Sequence, residues 1–202
     1  MSIFMRILGI CISLHITFFS FSCSDSSDLV NTPIADNIEN IKLCNVTITK
    51  MNLNTDKYRD GSAIRHASTN QEWIDANNKK EGAWCYYSGS TQYGSQYGKL
   101  YNWYAINNSR GLAPNGWRIP TDKEFDEIWE CPDFSNEFGS LLGGGRYPDG
   151  TFFNLNQIGA WWTSSEVSDS QAKAKGLMGG MGIRLNYTEM KERGFSVICI
   201  KN

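Results

Sequence analysis

The stretch WRIPTDKEFDEIW, residues 117–129, decides how this chain of 202 residues is read. Pro120 disfavours the helical region for Ile119, so a helix here starts after it. Thr121 is placed to cap that helix, and Glu124, three residues on, to reach back and close a T-x-x-E capping box. Asp122 and Glu124 fall in the first turn, where the helix dipole favours negative charge. Phe125, Ile128 and Trp129 recur at i, i+3 and i+4 and form one apolar face. Asp122 and Glu124 therefore have structural roles, and the stretch is predicted to start a helix rather than to form a catalytic dyad.

Downstream, GSLLGGGRYPDGTFFNLNQIGAWWTSSE (139–166) is too rich in glycine for a continuous helix and reads as long loops with short strands. GIRLNY (182–187) is a predicted strand, TEMKER (188–193) a charged turn, and GFSVICIKN (194–202) an alternating final strand. Upstream, IKLCNVTITKMNL (41–53) reads as the opening strand, with a turn at Asp60-Gly61. TNQEWIDANNKKEGAW (69–84) reads as a short helix and a loop. Residues 84–104 carry eight aromatics; Leu100, Trp103, Tyr104 and Asn107 fall at helical spacing, while Gly89, Gly94 and Gly98 mark a loop before them.

The first 22 residues form a thin positive start at Arg6 and an apolar run from Ile7 to Phe21, too short for a comfortable membrane span and read as an export signal. Its end, SFSCSDSSD, resembles a bacterial lipoprotein signal, which implies that Cys23 is acylated, as by palmitate. Residues 23–40 read as a polar tether and 41–202 as one domain. The acids behind Cys23 resemble the surface-export signal of Bacteroidetes lipoproteins, so the expected location is the outer membrane, exposed at the cell surface and held by lipid. Without Arg6, 18 basic residues face 21 acidic ones, a net charge near −3. That balance has no footprint for nucleic acid. Cys44, Cys85, Cys131 and Cys199 remain as disulfide candidates, with three connectivities open. No CxxC pair and no nearby histidine suggest zinc.

YGKLYNWYAINNSRGLAPNGWRIPTDKEF resembles the Fibrobacter succinogenes major paralogous domain. LCNVTITKMNLNTDKYRDGSAI, GAWCYY, FGSLLGGGRYPDGTF, WWTSSE and GFSVICIKN extend the resemblance over residues 41–202. The chain departs from the family by lacking about twenty residues between Cys131 and Phe138, and at Leu142, Gly145 and Ile198. The resemblance implies an α+β, C-type lectin-like fold: small antiparallel sheets, two or three short helices and long glycine-rich loops. In such a fold the last strand lies near the first, which favours a Cys44–Cys199 pairing.

No catalytic set is evident. The exported part holds one histidine, His66, beside Arg65 in a polar stretch. YPDG (147–150) and WWTSSE (161–166) echo a lectin-type calcium site only loosely, so no cofactor or metal is expected, with calcium the one ion left open. GGGR (143–146) lacks the lysine and the frame of a phosphate loop. Trp84, Trp103 and Trp117 are assigned to the core. Adjacent Trp161 and Trp162 on an extended segment point to opposite faces, so one is expected in the core and the other facing a ligand. The expected site is a shallow surface between about Arg146 and Glu166, with Tyr147 and Trp162 to stack and Asp149 and Glu166 to accept hydroxyls or hold calcium. The function expected is a surface-anchored, non-catalytic binding module for glycan or another extracellular polymer. The alternatives are an adhesive protein contacting other proteins and, last, a formylglycine-generating-type enzyme.

Overall fold

The structure, a computed structural model, describes residues 38–202. The expected signal, Cys23 and most of the tether lie outside the described residues. The chain begins with a hairpin of β1 (Asn40–Leu43) and β2 (Val46–Thr49), so the single strand expected over 41–53 is two. There follow β3 (Arg65–His66), α1 (Asn70–Asn78), β4 (Ala83–Cys85), a 3-10 turn (Tyr87–Gly89) and α2 (Thr91–Tyr97). Next come β5 (Leu100–Tyr101), α3 (Trp103–Ile106), β6 (Trp117–Arg118), α4 (Asp122–Trp129) and α5 (Phe134–Phe138). β7 (Gly145–Arg146), β8 (Phe152–Phe153), β9 (Ile158–Glu166), β10 (Gln171–Met178), β11 (Ile183–Met190) and β12 (Ile200–Lys201) complete it.

The architecture is α+β with small sheets. One sheet has the order β1-β2-β12-β6, a second β11-β10-β9, a third β3-β4-β5, and β7 pairs with β8. All named pairings are antiparallel except β3 with β4.

α4 starts where expected. Thr121 Oγ1 accepts the Glu124 N–H, and Glu124 Oε2 accepts the Thr121 N–H at 2.9 Å. The Glu124 carboxylate also takes two 2.6 Å bonds from Arg118. The Arg118 guanidinium, with the Thr121 N–H behind it, holds that carboxyl down at about 2. Asp122 and Asp126 reach across to Lys175 of β10, whose side chain is 2% exposed, at 2.9 and 2.6 Å. α1 repeats the device: Thr69 and Glu72 form a second capping box, and N–H groups of Thr69 and Ser68 hold the Glu72 carboxyl at about 2.

Further elements differ from the sequence expectation: the final strand expected over 194–202 is only Ile200–Lys201, and Leu100, expected at helical spacing with Trp103, lies in β5. The segment around Gly94 is helical, capped by Ser90 and ended by Gly98 at φ 74°. Gly94 sits inside this helix because a Cβ there would lie 2.3 Å from the ring of Tyr86. Residues 158–166 are a nine-residue strand rather than loops with short strands, and β11 runs on to Met190, so the charged turn starts only at Lys191.

Trp161 and Trp162 do point to opposite faces of β9, but both are fully buried. Trp161 packs among Phe125, Phe134 and Phe138. Trp162 packs on Phe195 in a separate cluster with Trp103 and Trp117. β9 thus lies between two cores. Each indole N–H is satisfied, Trp161 by Asn52 Oδ1 and Trp162 by the Tyr101 carbonyl, both at 2.8 Å.

The disulfide joins Cys44 to Cys131, with Cα atoms 5.9 Å apart, which corrects the expected Cys44–Cys199 pairing. β12 does lie beside β2, but Ile200 pairs with Ile48 and the Cys199 N–H meets Thr49 Oγ1. Cys199 is therefore level with Thr49, five residues along from Cys44, or roughly 16 Å at strand rise; a disulfide needs Cα atoms within about 7 Å. Cys85 and Cys199 are free and buried, and burial pushes their thiols up to about 11 and 12.

Candidate functional site

The four residues expected to share one surface do not come together. Trp162 is core and presents no ring to a ligand. Asp149 is turned onto its own loop, where its Oδ1 accepts the Thr151 N–H at 2.9 Å and hydroxyl at 2.7 Å. The Thr151 N–H holds that carboxyl below its usual range. Tyr147 is 39% exposed and lines a small groove beside Phe153 and Arg193. Glu166 lines a different, larger cleft.

That cleft has a volume of about 440 Å³. α3 and the segment after it supply one wall, with Tyr104, Asn107, Asn108 and Ser109; the other carries Glu166 from the end of β9 and Asp169 from the turn behind it. At its floor is Lys191, whose side chain is 5% exposed. The Lys191 ammonium donates to the Glu166 carboxylate and, at 3.0 Å, to the Asp169 carbonyl; it lies 4.6 Å from the centre of the Trp103 ring. Burial of this amine is tolerated because a carboxylate, a carbonyl and an aromatic face all compensate its charge.

The floor is fixed in place. The Lys191 N–H bonds the Ser170 carbonyl, and its own carbonyl accepts from Trp103 N–H at 2.9 Å. The next residue, Glu192, offers its carbonyl to Trp73 Nε1 and Asn77 Nδ2, both at 3.0 Å. Tyr104 donates its hydroxyl to Glu192 Oε1 at 2.7 Å, and its pKa is pushed up by burial and by that carboxylate. Tyr104 is thus a held, half-buried ring on the cleft wall, with a phenol that stays protonated. Asn108 Oδ1 accepts from the Arg110 backbone and Nε, each at 3.1 Å, which fixes the loop behind it.

Chemically the cleft is a hydrogen-bonding surface with no net charge: the ammonium groups of Lys80 and Lys191 balance Glu166 and Asp169. The Tyr104 hydroxyl is bonded to a carboxylate, Glu192, but burial and that carboxylate keep the phenol protonated. His66, the one described histidine, stacks flat on Trp84 at 4.1 Å on another part of the molecule. Among the described residues no group of three His, Cys, Asp or Glu side chains gathers as a metal site would require.

Sequence reasoning had placed Glu166 but missed Lys191, Tyr104 and the Asn107–Ser109 run. The available signal was a lysine amid the charged TEMKER segment; only the fold sets it against Trp103, far along the chain. Tyr104 was read as one aromatic of a short helix, and nothing local shows that it faces a cleft.

No curated protein and no solved structure is detectably similar to this chain. A family comparison does match: residues 41–133 fit the model of the Fibrobacter succinogenes major domain. The matched stretch runs from β1 through the end of the capped helix α4 and includes the Tyr104–Ser109 wall of the cleft. The match thus covers residues 41–133 of the 41–202 over which the motifs pointed to this family.

Proposed function

We propose that this chain is a non-catalytic binding module of the cell envelope that takes an uncharged glycan, or another neutral hydroxyl-rich extracellular polymer, at the Glu166–Lys191 cleft. One observation carries the reading: a cleft of about 440 Å³ combines a fixed tyrosine wall with carboxylate, amide and hydroxyl side chains around a floor whose charges cancel. Its volume lies within the usual range for small-ligand sites. Sugars present C–H faces to rings and hydroxyls to planar polar groups, and the cleft offers both. The charge balance argues for a neutral polymer over a uronate or sulfated one. The reading needs no metal ion and no catalytic group.

The same proposal includes lipid attachment at Cys23, which would place the module at the outer membrane, facing outward. It also includes a C-type lectin-like arrangement with glycine-rich loops, supported by the small sheets, the short helices and the β2–β12 pairing. A second reading, an adhesive contact with another protein, draws on β11. Among the described residues this eight-residue strand is bonded on one side only, and Met181, Ile183 and Met190 are exposed at its ends. Such an edge is a template for a partner strand.

A glycan array probed with the full chain separates the two. Retention on neutral glycans, unchanged between about 0.1 and 0.5 M salt because no ion pairs would be screened, supports the module. Binding confined to acidic glycans, or binding only to proteins, would reject it.

A further inference from the structure

The groove beside Tyr147 shares no lining residue with the Glu166 cleft and is built differently. We infer that it is a second ligand site, holding a single uncharged pyranose ring. Its volume of about 170 Å³ is too small for a drug-sized ligand and suited to one ring. Tyr147, Phe153 and Tyr187 form the walls, with buried Ala160 and Phe195 among the residues beneath. The Tyr147 and Phe153 rings lie 4.4 Å apart at 37°.

Two glycines make these walls possible. A Cβ on Gly145 would come 2.4 Å from Phe153 Cζ, and one on Gly176 would come 2.3 Å from Tyr187 Cε2. Both rings are therefore seated directly on backbone, and the groove exists before any ligand arrives. Arg193 is held in place by the rings, with its guanidinium carbon 4.8 Å from the centre of Tyr147 and 5.7 Å from that of Phe153. Its Nε lies 2.7 Å from Glu189 Oε2, but the N–H is not aimed at that oxygen and bonds no acceptor among the described residues. The contact is an ion pair rather than a hydrogen bond.

The resulting chemistry is amphiphilic. Aromatic faces line the walls, and a charge-cancelled carboxylate–guanidinium pair and the Asn154 side chain supply polar atoms. A purely apolar ligand would leave the polar atoms desolvated, and an ionised one would meet a pair that is already neutral. A pyranose satisfies both parts, with its C–H face on Tyr147 and its hydroxyls on Glu189, Arg193 and Asn154. The site stands on its own geometry and does not depend on the Glu166 cleft.

The test is ligand-observed saturation-transfer NMR on the full chain, with methyl glucoside, galactoside, mannoside and N-acetylglucosamine as probes. At least one glycoside should show transfer, and Tyr147→Ala should weaken it about two- to tenfold, the stacking contribution of one ring. Tyr147→Leu, which keeps apolar bulk, provides the same reading if the alanine variant unfolds. Asn107→Trp fills the other cleft and removes any transfer that arises there, so the transfer that Tyr147→Ala weakens should persist in that variant. Absence of transfer with all four probes would overturn the inference, as would equal binding in folded Tyr147 variants or loss of binding in Asn107→Trp alone.

Discussion

Breaking the Cys44–Cys131 cross-link should have a large effect on stability, and its size follows from chain length. The bridge closes a loop with a sequence separation of 87. Loop-closure entropy for that length is about 15 cal/mol/K, or about 4.6 kcal/mol at 25 °C. Cys131→Ser should lower the urea midpoint by about 2 M at a slope near 2 kcal/mol/M. The turn at Cys44 allows a finer test. Cys44 holds φ 50°, a conformation that costs a non-glycine residue about 1–2 kcal/mol. Cys44→Gly removes the bridge and this strain together, so it should be less destabilising than Cys44→Ser by about 1 kcal/mol. Urea denaturation followed by tryptophan fluorescence, with peptide mapping under non-reducing conditions, gives both readings. A midpoint shift below about 0.5 M in Cys131→Ser, or a mapped Cys44–Cys199 peptide, would refute the reasoning.

Lys175 should respond asymmetrically. It is 2% exposed while Asp122 and Asp126 are 30% and 54% exposed, so Asp122→Asn with Asp126→Asn leaves a buried ammonium bonded to Asn186 Oδ1 but without a counter-charge and should cost about 3–5 kcal/mol, whereas Lys175→Met frees acids that water can hydrate and should cost far less; chemical denaturation of both variants checks the order. Glu124 and Glu72 titrate at about 2 when folded, against 4.5 for a free glutamate. Their stabilisation is present above about pH 4.5 and is lost as pH falls toward 2, because the unfolded chain takes up the protons first. Urea midpoints between pH 5 and 2.5 should fall, and less steeply in Glu124→Gln. Trp162→Phe removes one of the two donors to the Tyr101 carbonyl, which keeps the Phe195 N–H, and shrinks a fully buried ring; it should cost about 0.5–3 kcal/mol, seen in thermal melts; a variant that loses polymer binding at unchanged stability would return Trp162 to the ligand surface.

How legible each element was depends on how local its cause is. α4 could be read because a capping box, a first-turn acid and an i, i+3, i+4 face all lie within one segment. α2 could not, since Gly94 looks like a helix breaker until the Tyr86 ring is seen resting on it. β9 was hidden in the same way: Gly159 marks the place where the Trp161 ring lies over the backbone, a Cβ there coming 2.2 Å from Cη2. The alternation of Trp161 and Trp162 was readable from strand geometry. Burial on both faces was not, because it depends on α4 and α5 on one side and on Phe195 on the other. The site was legible in part for the same reason. Glu166 and Tyr147 sit on the expected segment, but their partners Lys191 and Arg193 lie beyond β11, in a stretch that reads as a solvated turn until the sheet folds back.

The central claim, a neutral polymer bound in the Glu166–Lys191 cleft, is tested most directly by affinity electrophoresis of the full chain in native gels containing uncharged polysaccharides, beside Asn107→Trp. Asn107 is exposed on the cleft wall, so an indole there should occlude the cleft without disturbing the core. The account predicts that at least one polysaccharide retards the parent and that Asn107→Trp, equally stable by thermal melt, is retarded clearly less, keeping no more than the separate Tyr147 groove supports. Equal retardation of parent and variant, or free migration of the parent in every polysaccharide, would contradict it.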